Sequence, residues 1–284
     1  MDDFEGKTVV VTGGASGIGR ALAQRFGRAG MKVVLADIEA EALDKVVAEL
    51  ESDGVDTLGR VTDVADADDV EGLALDAMDH FGAVHVVCNN AGVAGGGRLW
   101  EIPLNEWKWV LGVNLWGVIH GVRSFVPRII EAGGGHVVNV ASMAGMVSAP
   151  GMSPYNVSKF GVVTLSEALF FELAMTQPGI GVSVVCPGWV NTRIHEADRN
   201  RPAELAPEEE RRLTPDEEML RGMIEQLITS GIDPAEVAGL VFDAVRDNRF
   251  YVFTGESWIE AARQRFGRIV AGENPQMAIP TADD

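Results

Sequence analysis

Short apolar runs alternate with amphipathic stripes along most of the chain. Runs rich in β-branched residues near 7–12, 32–37, 57–62, 84–89, 136–141, 181–186 and 250–254 read as strands. Several are apolar at successive positions, the pattern of strands covered on both faces. The intervals carry helical periodicity, as at Arg20, Ala21, Leu22, Ala23, Phe26 and Ala29. This alternation predicts an α/β fold: a doubly wound parallel sheet of about seven strands with helices on both faces. Two helix starts are well marked. Asp233-Pro234-Ala235-Glu236 and Thr214-Pro215-Asp216-Glu217 each set a cap residue, a first-turn proline and an acid three residues past the cap. The stretch from Arg193 to Arg212 is charged and poor in apolar residues, and it predicts a mobile surface loop. A short amphipathic helix follows it, with Leu220, Met223, Ile224, Leu227 and Ile228 on one side. The tail beyond about Gly272 has little pattern.

The first strand leads into Thr12-Gly13-Gly14-Ala15-Ser16-Gly17-Ile18-Gly19 and then a helical stripe. Strand, glycine-rich turn and helix is the setting of a dinucleotide site. Glycines permit the tight turn and the close approach of backbone to a pyrophosphate, which meets the N–H groups of the helix start. The second strand ends in Asp37, eighteen residues beyond Gly19. A carboxylate there can accept hydrogen bonds from the adenosine ribose hydroxyls and repels a 2′-phosphate. Ala36 and Ile38 are not basic, and no Lys or Arg lies between Gly13 and Gly19, so NAD is predicted over NADP. A cap on the helix beginning near Glu39 is the alternative reading of Asp37.

Tyr155 and Lys159 are four residues apart, on one face of any helix that carries them, and Ser142 lies thirteen residues before Tyr155. A phenol beside an ammonium has its ionised form stabilised and exchanges protons closer to neutral pH. These motifs, taken in order, resemble the short-chain dehydrogenase/reductase family in its compact single-domain form. The resemblance runs from about Phe4 to Gly188 and more loosely to about Phe253. It implies a Rossmann-like fold, with residues 1–272 as one dehydrogenase domain, a substrate-covering loop and helix at about 190–230, and 273–284 as a tail that is flexible or in subunit contact. Gly13, Ser16, Gly17, Ile18 and Gly19 match the family's cofactor turn, and Asp63-Val64 its adenine contact. Asn89-Asn90-Ala91-Gly92 matches the segment that supports the sheet and the cofactor. Pro187-Gly188-Trp189-Val190-Asn191-Thr192 matches the segment that holds the nicotinamide carboxamide. Asn114, Ser142, Tyr155 and Lys159 match the catalytic tetrad. The resemblance implies that Tyr155 transfers the proton, Ser142 binds the substrate oxygen, Lys159 lowers the tyrosine pKa and holds the nicotinamide ribose, and Asn114 anchors a water.

Val93, Ala94, Met143, Ala144, Met152 and Trp189 flank these motifs and are mainly apolar. They predict a small-molecule substrate: a secondary alcohol or ketone on a hydrophobic skeleton. A non-redox dehydratase or epimerase with bound NAD and a dinucleotide-sensing regulator are the alternatives.

Composition narrows the partners. The 284 residues are 46% hydrophobic with a formal charge of −19, which disfavours nucleic acid and anionic membrane surfaces. Mean hydropathy is +0.09. The most apolar helix, about Trp107 to Ile130, holds Asn114, His120, Arg123 and Pro127, so it reads as buried and not membrane-spanning. The acidic start Met1-Asp2-Asp3-Phe4-Glu5 is no signal peptide, and a cytoplasmic location is expected. Cys88 and Cys186 fall in expected buried strands, and no Cys/His spacing suggests a metal. By the same resemblance, the helices of Asn114 and Tyr155 pair between subunits, giving a homodimer or homotetramer.

Overall fold

The computed structural model describes residues 1, 3–206, 214–277 and 280. Residues 207–212 of the expected loop and most of the last tail residues lie outside these. Seven strands form one parallel sheet in the order β3-β2-β1-β4-β5-β6-β7. They are β1 Thr8–Thr12, β2 Lys32–Asp37, β3 Thr57–Val61, β4 Val86–Asn89, β5 Gly135–Val140, β6 Ile180–Cys186 and β7 Tyr251–Phe253. The helices are α1 Gly17–Gly27, α2 Ala40–Ser52, α3 Ala67–Phe81, α4 Leu104–Leu111, α5 Gly117–Glu131, α6 Ser153–Thr176, α7 Pro215–Thr229, α8 Pro234–Asp247 and α9 Glu256–Ala271.

Every residue of β1, β4 and β6 is buried, as expected of central strands covered on both faces. On one face Leu22 and Phe26 of α1 and Phe242 and Val245 of α8 pack with Val9, Val11 and Leu35. On the other, Val70 and Leu73 of α3 and Phe125 and Ile129 of α5 pack with Val10, Val34 and Val137. Both marked helix starts form where expected, with Glu217 Oε2 accepting from Thr214 N and Asp233 Oδ1 from Ala235 N.

Two features aim the sheet at a site. The chain leaves β1 for β2 and β3 on one side, then returns to β4 on the other, so the strand order reverses between β1 and β4. A crevice opens beyond the carboxyl ends of strands at such a switch point. A buried polar ladder then locks β4 and β5 to the long helix α6. Asn89 Nδ2 donates to Asn139 Oδ1 at 2.9 Å, Asn139 Nδ2 to Ser166 Oγ at 3.0 Å, and Ser166 Oγ to Val162 O at 2.7 Å. Among the described residues no helix is long and apolar enough to cross a membrane.

Candidate active site

The β1 end is sewn to the β4 end across the crevice. Thr12 Oγ1 accepts from Asn90 N at 3.0 Å and Ala91 N at 3.1 Å, and Asn90 Nδ2 donates to Thr12 O at 2.8 Å. The glycine turn lies on this seam. Gly13 takes φ +64 and Gly17 φ +50, a region side chains disfavour. Gly19 sits in the first turn of α1 and does not line the cleft. A Cβ there would overlap Gly13 O and lie 2.6 Å from Asn90 Nδ2, so its place in the motif is close packing of helix on turn. Ser16 stands at the N-cap of α1 without capping it, and the first turn carries no acid. That helix start, lined by Ser16, Gly17 and Ile18, opens into the cleft.

Asp37 is buried, and its Oδ2 accepts from Ala15 N at 2.9 Å while Oδ1 accepts from Glu39 N at 3.0 Å. It therefore braces the glycine turn as well as the start of α2. Burial pushes its carboxyl above the usual range, against these backbone bonds. Asp63 and Val64 line the next stretch of cleft, where Asp63 Oδ1 accepts from Ala65 N at 2.9 Å.

The four tetrad positions converge from three elements. The α4–α5 helical run contains one π-turn, Gly112–Trp116, with Asn114 at its centre. Extra turns of this kind place a side chain that regular α-helix would misdirect. Asn114 is fully buried behind the cleft wall and is not part of its lining. Its Oδ1 accepts from Val93 N at 2.8 Å, and its Nδ2 donates to Val93 O at 2.9 Å and Ser158 Oγ at 3.2 Å. Asn114 is thus a clamp on the backbone of a cleft-wall residue. Ser142 follows β5, and its Oγ accepts from Ala144 N at 3.1 Å. Tyr155 stands in the first turn of α6, and its phenol and Ser142 both line the cleft. Lys159, one turn on, donates from Nζ to Val140 O at 2.9 Å. Asn156, which the sequence reading passed over, ties the Ser142 loop to α6 through Ala144 O at 2.8 Å and Val147 O at 3.1 Å.

The electrostatics differ from the expectation drawn from the Tyr-Lys spacing. Burial raises the Tyr155 phenol, and the Ser142 hydrogen bond is what pulls it back. The Lys159 amine is itself pushed down from 10.5 to about 8 by burial. The physical reason is that both groups sit at the buried root of the cleft, where desolvation disfavours the charged form of each.

One cavity of about 590 Å³ runs from Asp37 and Asp63 to the far side of Tyr155. It gathers the expected cofactor residues Gly13, Ser16, Gly17, Ile18, Asp37, Asp63, Val64, Asn90, Ala91, Gly92, Pro187, Gly188, Val190 and Thr192. At the tyrosine end it is walled by the expected Val93, Ala94, Ala144, Met152 and Trp189. Leu220, Met223, Ile224 and Leu227 of α7 roof that end. Met277 lines it as well, and Trp189 Nε1 donates to Pro280 O at 3.0 Å. The described part of the expected mobile loop is instead turned and pinned, in the short 3₁₀ segments Ile194–Asn200 and Ala203–Leu205. Arg201 pairs with Glu106 at 2.7 Å and stacks on Trp109, and Arg199 pairs with Glu39 at 2.8 Å. Arg199 and Arg201 look solvent-facing in sequence because Glu39 and Glu106 lie about a hundred residues or more away. Cys88 and Cys186 are buried core thiols, with burial pushing Cys186 up to about 12. Among the described residues no His, Cys, Asp and Glu cluster suits a metal.

This fold and cleft define a dinucleotide-type oxidoreductase scaffold, and the comparisons make the class specific. The sequence profile described as short chain dehydrogenase matches residues 7–203, and the chain belongs to that family. It is an oxidoreductase acting on CH–OH groups. Among solved structures, a short chain dehydrogenase/reductase from Burkholderia phymatum in complex with NAD is similar at TM-score 0.95 and 40% identity, over 99% of this chain and 100% of that one. The "CLA biosynthesis dehydrogenase/reductase" of Lactiplantibacillus plantarum is 33% identical over 98% of each chain. The "1-deoxy-11-beta-hydroxypentalenate dehydrogenase" of Streptomyces exfoliatus is 36% identical over 92% of this chain and 87% of its own.

Proposed function

We propose that this enzyme interconverts a secondary alcohol and a ketone on a hydrophobic skeleton, with NAD as partner and Tyr155 moving the proton. The observation that carries this is the convergence of Ser142, Tyr155 and Lys159 on one cavity that holds the expected cofactor residues along one stretch and apolar side chains along another.

The chain's own groups fit a nicotinamide dinucleotide. The acid-free start of α1 with Ser16, Gly17 and Ile18 suits a pyrophosphate, and Asp37 suits the adenosine ribose. Asp63 and Val64 would hold the adenine, and Asn90, Ala91 and Gly92 the nicotinamide half. Pro187, Gly188, Val190 and Thr192 would take the carboxamide side, and Lys159 the nicotinamide ribose. When bound, the dinucleotide supplies hydride acceptance and return, chemistry no side chain performs.

In oxidation Tyr155 Oη, in its ionised form, would take the proton from the substrate hydroxyl while the carbon bearing that hydroxyl gives up hydride; in reduction the neutral phenol would give that proton to the carbonyl oxygen. Ser142 Oγ hydrogen-bonds the reacting oxygen and stabilises charge as it develops. Asn114 acts as a positioning residue, fixing Val93 beside that oxygen. The pocket beyond Tyr155 is walled by Met152, Trp189, Leu220, Met223 and Ile224, which favours an apolar substrate body. The Streptomyces exfoliatus relative is named for a hydroxyl-bearing substrate, which accords with an alcohol as the reacting group. The exposed Trp116 of the π-turn and Val157, Phe171 and Met175 of α6 support pairing of two copies through the faces flanking Asn114 and Tyr155. Light scattering at working concentration tests this, a monomer being the result against it.

The function is tested by mixing the protein with NAD or NADP and a panel of apolar secondary alcohols, and following reduced nicotinamide. NADH formation with a higher kcat/KM for NAD is expected. Conversion of substrate without NADH would overturn the redox reading, and equal efficiency with NADP would overturn the cofactor preference.

A further inference from the structure

The rim of the groove next to Asp37 carries an arrangement that the motifs do not contain. Two N–H donors from the 194–200 segment converge on a single oxygen, Glu39 Oε1, Arg199 Nε at 3.0 Å and Asn200 Nδ2 at 3.0 Å, and Arg199 Nη2 forms an ion pair with the same oxygen at 2.8 Å. The third nitrogen of that guanidinium is held separately. Arg199 Nη1 donates to Arg193 O at 3.1 Å and Glu196 O at 3.0 Å, so the Nε–Nη2 edge is oriented without help from Glu39. Such a fixed fork with an added amide is a receptor for one anionic oxygen. Glu39 follows Asp37 by two residues, and its own N–H is bonded to Asp37 Oδ1. Glu39, Arg199 and Asn200 all line the same groove as Asp37.

We propose that Arg199 and Asn200 form a latent phosphate-receiving nest, that the Glu39 carboxylate fills it, and that Glu39 is thereby a second determinant of selection against a 2′-phosphorylated dinucleotide. This rests on the reading that the groove binds an adenosine dinucleotide with its ribose at Asp37. Burial opposes ionisation of Glu39, but the bonds from Arg199 and Asn200 and the charges of Arg199 and Arg193 hold its carboxyl below the usual range, so the occupant is anionic at neutral pH. A dinucleotide bearing a 2′-phosphate meets two carboxylates, Asp37 and Glu39, while the cation that would receive it is already engaged.

The test uses ADP-ribose and 2′-phospho-ADP-ribose, which lack the nicotinamide and so report binding alone, measured by calorimetry on the full chain. Glu39→Ala leaves the fork in place and open. It should tighten the phosphorylated ligand relative to the plain one by about tenfold, the scale of one or two charge-assisted hydrogen bonds. Glu39→Gln should move the ratio the same way and less. Adding Arg199→Leu to Glu39→Ala should cancel the gain. An unmoved ratio in both Glu39 variants would overturn the proposal, as would a gain that survives Arg199→Leu, which reports relief of repulsion alone. The NAD reading has its own readout, since equal affinity of the unmodified protein for the two ligands would count against it whatever the variants do.

Discussion

Lys159 Nζ lies 5.6 Å from the centre of the Tyr155 ring, one helical turn away at the buried root of the cleft. The amine is tethered to Val140 O, so the pair is held in place by the end of β5. The proton transfer proposed for Tyr155 predicts a sharp split between binding and turnover. Tyr155→Phe keeps the ring and its packing and removes only Oη. Its kcat should fall by about 10²–10⁴-fold, the usual worth of a placed general acid or base. Titration with NAD should give an affinity close to that of the unmodified chain. Turnover within tenfold of the unmodified enzyme would remove Tyr155 from the proton step.

The buried amine also leaves a mark on stability. Its folded value of about 8 lies below the 10.5 of a free lysine. Between these values the unfolded chain holds a proton that the folded chain does not, so stability contributed at this site rises with pH from about 8 to 10.5 and is lowest below 8. The full span corresponds to about 3 kcal/mol. Urea unfolding of the unmodified chain and of Lys159→Met across this range should show their difference shifting by that order, in favour of the unmodified chain at high pH. A difference independent of pH would show that the amine titrates alike in both states.

Much of this arrangement is legible in the sequence, for physical reasons that can be named. The strands are readable because a sheet covered on both faces demands apolar residues at successive positions, as in Val9, Val10 and Val11. The glycine turn is readable because backbone geometry and close approach permit little else at Gly13 and Gly17. Tyr155 and Lys159 are readable because helical spacing puts them on one face. What stays hidden depends on partners far apart in the chain. Arg199 and Arg201 look like solvated charges until the fold brings Glu39 and Glu106 to them. The π-turn at Asn114 breaks no local rule of composition, and the contact of Trp189 with Pro280 spans a tail with no periodic pattern.

Asn114 offers a test of positioning as distinct from chemistry. It makes three hydrogen bonds in a fully buried site, two of them to the N–H and C=O of Val93. Asn114→Ala strands both backbone groups, and a cost of about 2–4 kcal/mol is expected from their lost partners. Asn114→Asp keeps an acceptor for Val93 N but removes the donor to Val93 O, so it should fall between the two in thermal stability. On the proposed assignment of Val93 to the substrate pocket, KM for the alcohol should rise along the same series. An Asn114→Ala enzyme with unchanged stability would contradict the clamp.

The glycines of two helices give opposite forecasts for one substitution. Gly239 lies in α8 with open space where a Cβ would stand, so Gly239→Ala should stabilise by about 0.5–1 kcal/mol through backbone entropy alone. Gly19 lies in α1 where a Cβ would overlap Gly13 O and crowd Asn90 Nδ2. Relief of that overlap requires α1 to move off the glycine turn or Asn90 to leave Thr12 O, and both hold the seam between β1 and β4. Gly19→Ala should therefore destabilise by about 1–3 kcal/mol or more, the scale of overpacking. It should weaken dinucleotide binding as well, although Gly19 itself lies outside the groove. Thermal midpoints with and without NAD separate the effects, since the shift on adding NAD should shrink in Gly19→Ala and persist in Gly239→Ala. A Gly19→Ala chain with a full NAD-dependent shift would mean that the turn tolerates displacement of α1, and that the glycine motif serves helix packing without shaping the anion site.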